Sequence, residues 1–208
     1  MNRLRKQCAF TAVEVITTVA ILAILVGILL GVGMRLITQA EEKLAQSTID
    51  IIVLALEQYY TDSVPNGFPF EADVYIESPL SGFDENTLRA VIELDRGAAP
   101  NDSTIIGSHD SKYASSEALF YFLNKSPNSR KIIDTITDTQ ITNKGSDNGP
   151  LRIEVPTGSG IEIDLVRFID PWGKAFRYTY TAGDTFPLIE SAGADGNFDA
   201  AGDNITSK

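Results

Sequence analysis

The chain of 208 residues contains only one cysteine, one histidine and one tryptophan. A single cysteine, Cys8, cannot form an intrachain disulfide, so folding has to rely on packing. Positive charge is also scarce, because 17 Lys and Arg stand against 28 Asp and Glu and leave a net charge of −11. Nucleic-acid binding requires a basic face. The composition therefore argues against a disulfide-stapled domain and against a nucleic-acid-binding protein.

Sequence patterns typical of enzymes are lacking as well. The single histidine, His109, has no Gly-x-Ser-x-Gly nucleophile elbow to accompany it, and one histidine cannot supply the usual zinc ligands. The glycines Gly158 and Gly160 are not followed by a lysine and a helix start, so they indicate a hairpin connector rather than a phosphate loop. We expect no enzyme, and we expect His109 to lie in a surface loop.

Only one long apolar run is present, and it covers residues 10–34 near the amino terminus. A helix over these residues, at ~1.5 Å per residue, would be roughly 37 Å long and could cross a ~30 Å hydrocarbon core. Arg3, Arg5 and Lys6 precede the run. The positive-inside rule then places residues 1–9 in the cytoplasm. The run therefore predicts a single-pass membrane protein with a cytoplasmic amino terminus and a carboxy-terminal domain on the far side of the membrane.

The run contains one charged residue, Glu14. A carboxylate in hydrocarbon costs about 2.5–3.5 kcal/mol on insertion scales, so Glu14 should have a partner and is a functional candidate. A plain signal anchor explains the apolar run but not this acid. A secretory signal peptide usually has an apolar stretch of only ~7–15 residues and a small-residue cleavage site, which Thr38-Gln-Ala40 matches poorly. A lipoprotein site at Cys8 is excluded because the apolar stretch follows the cysteine.

The sequence Ala9-Phe10-Thr-Ala-Val-Glu14 resembles the amino-terminal signal of type IV pilins and of the pseudopilins of type II secretion systems. It differs from the usual Gly-Phe-Thr-Leu-Ile-Glu at Ala9, Ala12 and Val13. The resemblance implies a leader peptide over residues 1–9, cleavage between Ala9 and Phe10 by a prepilin peptidase, and methylation of the new amine. It also implies partners: other pilin-like subunits, as homo- or hetero-oligomers, and an inner-membrane assembly platform.

A charge argument independently gives Glu14 a role in subunit assembly. Cleavage before Phe10 would leave a positive amine on an apolar helix, and Glu14 of a neighbouring subunit could neutralise it. Two charges that are each costly when buried alone become tolerable as a pair. We therefore expect Glu14 to be the assembly residue.

Beyond the transmembrane helix, residues 35–60 predict an amphipathic continuation of that helix. Apolar positions from Leu44 to Tyr59 recur at steps of three and four. A run of helix-breaking residues, 61–69, should end it. Residues 61–150 then form a variable insertion, for which we expect helices over 84–94 and 115–123, the second with a serine N-cap, and a surface loop over 124–131.

From residue 151 to residue 208 the apolar period changes to two. Residues 151–155 and 161–165 alternate apolar and charged side chains and predict a hairpin, and 176–180 and 187–190 predict further strands. We expect an antiparallel sheet packed on the outer half of the helix, which gives a pilin-like α+β fold.

The carboxy-terminal residues carry a second resemblance. Asp170-Pro-Trp-Gly173, Ser191-Ala-Gly-Ala-Asp-Gly196 and Asp203-Asn-Ile205 resemble the tail of the major pseudopilin of type II secretion, which implies a calcium-binding loop. Hard oxygen ligands suit Ca²⁺, and glycines let backbone carbonyls turn toward an ion. The predicted ligands are Asp195, Asp199, Asp203 and Asn204. The alternative is that these are ordinary turn residues. We expect Trp172 to be a core anchor.

Two function classes follow. The first is a structural subunit of a type II secretion pseudopilus or type IV pilus-like filament, which is processed and assembled through its amino-terminal helix. The second is a membrane-anchored periplasmic binding module, in which residues 61–150 recognise a ligand and the helix serves only as a tether.

Overall fold

The computed structural model describes residues 11–62, 84–180, 184–200 and 202–207, without the side chains of 30–34. The predicted cleavage residues Ala9 and Phe10, and most of the predicted breaker segment 61–69, lie outside the described residues. The helices are α1 Ala12–Asp62, α2 Glu85–Arg96, α3 Ala114–Lys125 and α4 Pro127–Ile133. The strands are β1 Thr104–Ile106, β2 Ile141–Thr142, β3 Arg152–Glu154, β4 Glu162–Asp164, β5 Arg167–Phe168, β6 Arg177–Thr179, β7 Leu188–Ser191 and β8 Ile205–Thr206.

The chain divides into two compact units, Met1–Ala40 and Glu41–Lys208. In the first unit the segment Ala12–Leu29 of α1 is apolar on all sides apart from Glu14, and its side chains are exposed: Val13 is 69% exposed and Leu29 is 70% exposed. Among the described residues, Ala12–Leu29 is the one segment long and apolar enough to cross a membrane. This agrees in general terms with the predicted single membrane anchor.

In the second unit the remainder of α1 forms one wall of a hydrophobic core. Ile49, Ile52 and Leu56 are fully buried on one face of the helix. They belong to the same cluster as aromatic and aliphatic side chains from strands β5, β6 and β7 and from the residue before β6, namely Phe168, Tyr178, Ile189 and Phe176. The predicted amphipathic helix and its packing against the strand region are therefore confirmed. Burial of its apolar face gives such a helix most of its stability.

Within the described ranges the strands form three antiparallel sheets, so the α+β class is confirmed but the expected single sheet is divided. One sheet has the order β1-β3-β4, a second pairs β2 with β5, and the third has the order β6-β7-β8. The predicted hairpin is present, with Ile153 opposite Ile163. Its apolar face joins a second core with Leu88 and Ile92 of α2 instead of the α1 core. A sheet buries its apolar face against another element. Here α1 contributes to one core and α2 to the other, while α3 contributes to both.

The helix predicted over 84–94 is confirmed as α2. The Asp84 side chain accepts a hydrogen bond from the Thr87 amide at 2.9 Å, which caps the first turn. Gly97 ends the helix with φ of 67°, a left-handed conformation that glycine adopts without steric cost.

Two local predictions in the insertion are wrong. Ser115 does not cap α3, because Tyr113 occupies that position and Ser115 is buried inside the helix. Its hydroxyl accepts a hydrogen bond from the Tyr178 amide at 3.4 Å, so it serves the neighbouring sheet. The expected loop over 124–131 instead includes the first five residues of α4, which Ser126 caps and Pro127 begins. Serine at the cap followed by proline at the first helical position is a helix-start pattern.

Candidate functional site

The amino-terminal end of α1 holds Glu14, the predicted assembly residue, in a capping box with Thr11. The Glu14 Oε2 atom accepts hydrogen bonds from the Thr11 amide and the Thr11 hydroxyl, both at 2.9 Å. The Glu14 amide donates to the Thr11 hydroxyl at 3.3 Å. The Thr-x-x-Glu spacing is the sequence signature of this motif, which satisfies two of the free amides at a helix start. Sequence reasoning missed this role, although the signature was visible.

The other polar groups near Glu14 are satisfied within the helix. The Thr17 hydroxyl donates to the Val13 carbonyl at 2.9 Å, and the Thr18 hydroxyl donates to the Glu14 carbonyl at 2.7 Å. Threonines that bond backward in this way present mainly their methyl groups to the surroundings. The carboxylate of Glu14 is therefore the one strongly polar feature on this apolar surface.

The capping geometry leaves part of the carboxylate available. Both hydrogen bonds that reach the Glu14 side chain go to Oε2. In the part of the chain that the structure describes, the Glu14 carboxylate is bound by Thr11 and by no basic side chain. A cation from another molecule could therefore bind at Oε1 without displacing the cap.

The predicted calcium ligands lie in one loop, and the loop is held largely by its own hydrogen bonds. Asp203 Oδ2 accepts from the Asp195 amide at 3.1 Å, and Asp195 Oδ1 accepts from the Asn197 amide at 2.8 Å. Asn204 donates to the Phe198 carbonyl at 2.9 Å, while its buried Oδ1 atom has no hydrogen-bond donor among the described residues. Within the described ranges, no three His, Cys, Asp or Glu side chains converge as a metal site would require. Calcium binding stays a prediction.

The turn at Asp170-Pro-Trp-Gly173 is organised by its first residue. Asp170 is buried, and its Oδ1 accepts from the amides of Trp172 at 3.1 Å and Lys174 at 2.8 Å. Its Oδ2 accepts from the Ser191 hydroxyl at 2.7 Å, which ties the turn to the carboxy-terminal sheet. Burial raises the pKa of Asp170, and these hydrogen bonds offset only part of that effect. Trp172 is half-buried, so the prediction of a core anchor is wrong.

The expectation that His109 lies in a surface loop is also wrong. Its side chain is only 3% exposed and lies between Glu85 and Glu117. The flanking residues Gly-Ser-His-Asp-Ser are typical of an exposed loop and gave no indication of this burial. Only the packing of α2 and α3 brings the two carboxylates to the histidine.

Comparison of the chain with protein-family models, with curated proteins and with solved structures finds no significant match. The resemblance to pilins and pseudopilins therefore rests on sequence motifs alone.

Proposed function

We propose that this protein is a pilin-like structural subunit, anchored in the inner membrane by α1 and assembled into a type II secretion pseudopilus or a related filament. One observation carries the proposal: a helix with the membrane-length apolar segment Ala12–Leu29 exposes its apolar side chains, and Glu14 is the only charge in that segment. A helix that is apolar on all sides needs lipid or other helices around it. An acid near the start of such a helix costs free energy unless it has a partner, and it is therefore a candidate functional residue.

In the proposed mechanism, prepilin peptidase removes residues 1–9, and the amine of Phe10 becomes a cation in an apolar setting. The Glu14 carboxylate of a neighbouring subunit accepts a hydrogen bond from this amine at Oε1, while Thr11 of that subunit continues to donate to Oε2. The charge-assisted hydrogen bond offsets the desolvation of both groups and favours the assembled state over separate subunits in lipid. The basic residues Arg3, Arg5 and Lys6 would keep the leader in the cytoplasm until cleavage.

Three variants of the native chain separate this pairing from the capping role. Glu14→Ala removes both, Glu14→Gln retains an oxygen that Thr11 can bond but lacks the charge, and Thr11→Ala retains the charge but loses the hydroxyl of the cap. We expect both Glu14 variants to insert in the membrane and to be absent from cross-linked filaments. Thr11→Ala should assemble. Glu57→Ala, which changes an exposed glutamate of the same helix, is the matched control and should also assemble.

Mass spectrometry of the protein from its native host completes the test. A methylated Phe10 at the amino terminus is the expected result. Normal assembly of Glu14→Gln would show that capping is sufficient and would overturn the pairing.

The binding-module alternative is favoured by one feature, a depression of about 530 Å³ lined partly by Arg96, Tyr121, Lys125 and Asp164. An intact Met1 in the mature protein, together with no filament, would support that alternative.

We also propose that the loop of Asp195, Asp199, Asp203 and Asn204 binds Ca²⁺. This part rests on the tail resemblance and on the oxygen chemistry of the donors. When bound, the ion would neutralise carboxylates within the loop and fix the loop in place.

A further inference from the structure

His109 joins the first turns of two separate helices. Its Nε2 atom is 2.8 Å from Oε2 of Glu117, which lies in the first turn of α3. Its Nδ1 atom is 3.3 Å from Oε2 of Glu85, the first residue of α2. The imidazole is 3% exposed and the Glu117 side chain is fully buried. This connection is shielded from solvent on the α3 side and more open on the α2 side.

Glu117 has a second cationic partner, and this makes the two carboxylates unequal. Arg167 of β5 places Nη1 3.4 Å from Oε1 of Glu117, and its guanidinium lies 3.6 Å above the ring of Tyr113. Its Nη2 atom donates to the Lys144 carbonyl at 2.6 Å. Among the described residues, Glu85 is paired with His109 alone. The groups that face His109 are Glu85, Glu117, Arg167 through Glu117, and Tyr113, whose ring meets the imidazole edge-on at 6.2 Å.

Only the imidazolium form of His109 can serve both carboxylates. It carries a proton on each ring nitrogen, so Nε2 can donate to Glu117 while the protonated Nδ1 attracts Glu85 as an ion pair at 3.3 Å, without hydrogen-bond geometry. The neutral ring has one N–H. If that proton stays with the closer partner, Glu117, a nitrogen lone pair faces the Glu85 carboxylate. Loss of the proton therefore converts the contact with Glu85 from attraction to repulsion.

We propose that His109 is a pH-sensitive lock: its imidazolium form holds the start of α2 against the start of α3, and its neutral form releases the start of α2. The Arg167 pair keeps Glu117 compensated in both states, so the change is confined to the α2 side. The apolar face of α2, with Leu88, Val91 and Ile92 buried, retains the rest of the helix when its first turn opens.

The direction of the pH dependence follows from the charges around the ring. Burial by itself would lower the pKa of His109, but the hydrogen bond and negative charge of Glu117, together with Glu85, raise it above 6.5. A raised pKa in the folded state means that the lock is fully engaged below about pH 6.5. Its contribution is lost as the pH rises through the folded-state pKa.

The single histidine of the chain makes the test direct. NMR titration of the ¹³Cε1-labelled histidine in the full-length protein, solubilised in detergent, should give a pKa above 6.5. Hydrogen exchange of the first-turn amides of α2, corrected for intrinsic rates, should increase over the same pH range. For each pH unit by which the measured pKa exceeds 6.5, linkage predicts up to about tenfold more opening above that pKa than below pH 6.5.

Three variants complete the experiment. His109→Gln should exchange rapidly at all pH values and lose the pH dependence, and Glu85→Gln should flatten it while leaving the protein folded. Glu162→Gln is the matched control. Glu162 is 41% exposed, like Glu85, but it pairs with Arg152 in the sheet of β3 and β4 and not with His109. This variant should behave as the wild type does. A histidine pKa at or below 6.5, or wild-type pH dependence in Glu85→Gln, would overturn the lock even if His109→Gln failed to fold.

Discussion

The indole nitrogen of Trp172 donates a hydrogen bond to the Glu41 carboxylate at 3.1 Å and so joins residues 131 positions apart in the chain. Glu41 lies on α1 at the beginning of the second compact unit, and Trp172 lies in the turn between β5 and β6. The bond therefore attaches the turn of the carboxy-terminal region to the helix. It also gives the tryptophan a polar partner, as half-buried indoles usually have.

Because Trp172 is the only tryptophan, the tryptophan fluorescence reports on the surroundings of this one indole. We expect Glu41→Ala to shift the emission maximum to longer wavelength, since the indole N–H would then bind water. The lost bond should also reduce the free energy of unfolding by about 1 kcal/mol. Glu42→Ala, at the neighbouring exposed position, should leave the emission unchanged. Equal shifts in the two variants would show that the contact does not fix the indole.

Asp170 offers a test of how a buried carboxylate organises a turn. Asp170→Ala leaves the amides of Trp172 and Lys174 without their acceptor and should cost about 1–3 kcal/mol of unfolding free energy. Asp170→Asn keeps an oxygen for these amides and should cost less.

The same pair of variants has a predicted pH dependence. Burial raises the pKa of Asp170, so the folded state holds this proton more tightly than the unfolded state. The wild type should therefore gain stability relative to Asp170→Asn as the pH falls through the folded-state pKa toward 3.8. Denaturant titrations at several pH values measure the difference, and a gap that is constant with pH would contradict the prediction.

Substitutions at Gly193 and Gly158 distinguish the cost of steric crowding from the cost of backbone strain. Both have positive φ, 66° and 76°, which costs a non-glycine residue about 1–2 kcal/mol. A Cβ at Gly193 would lie 2.5 Å from the Asp203 carbonyl oxygen, whereas a Cβ at Gly158 would meet nothing within 4 Å. Gly193→Ala should therefore lower the unfolding free energy clearly more than Gly158→Ala. Thermal melts of the two variants provide the comparison, and equal losses would count against crowding.

Calcium binding predicts an increase in the melting temperature of the full chain on addition of Ca²⁺ but not of Mg²⁺. A ligand at 100 times its Kd adds about 2.7 kcal/mol of stability. Asp203→Asn should reduce this gain because it removes a hard anionic ligand. Asp50→Asn, which changes an exposed aspartate on α1, is the control and should retain it. No shift with Ca²⁺, or the same gain in both variants, would contradict the proposed site.

Local pattern predicted several elements correctly because their determinants are local. The spacing of three and four from Leu44 to Tyr59 indicated the amphipathic part of α1, and acidic residues at the start of 84–94 indicated α2. Alternation over 151–165 predicted the pair β3 and β4. Helix α4 was not predicted, because the surrounding polar residues are typical of a loop. Ser126 and Pro127 nevertheless form a helix-start pattern.

By itself, the sequence determined the class of the molecule: an apolar helix of membrane length with one acid, followed by an acidic α+β domain. These properties depend on composition and short-range periodicity, which one stretch of chain contains completely. Tertiary structure alone decided that the strands divide among three sheets, that Ser115 serves a strand instead of a helix end, and that His109 is buried between Glu85 and Glu117. Each of these depends on partners from other elements, and the free energy of a buried polar group is set by those partners rather than by its neighbours in sequence.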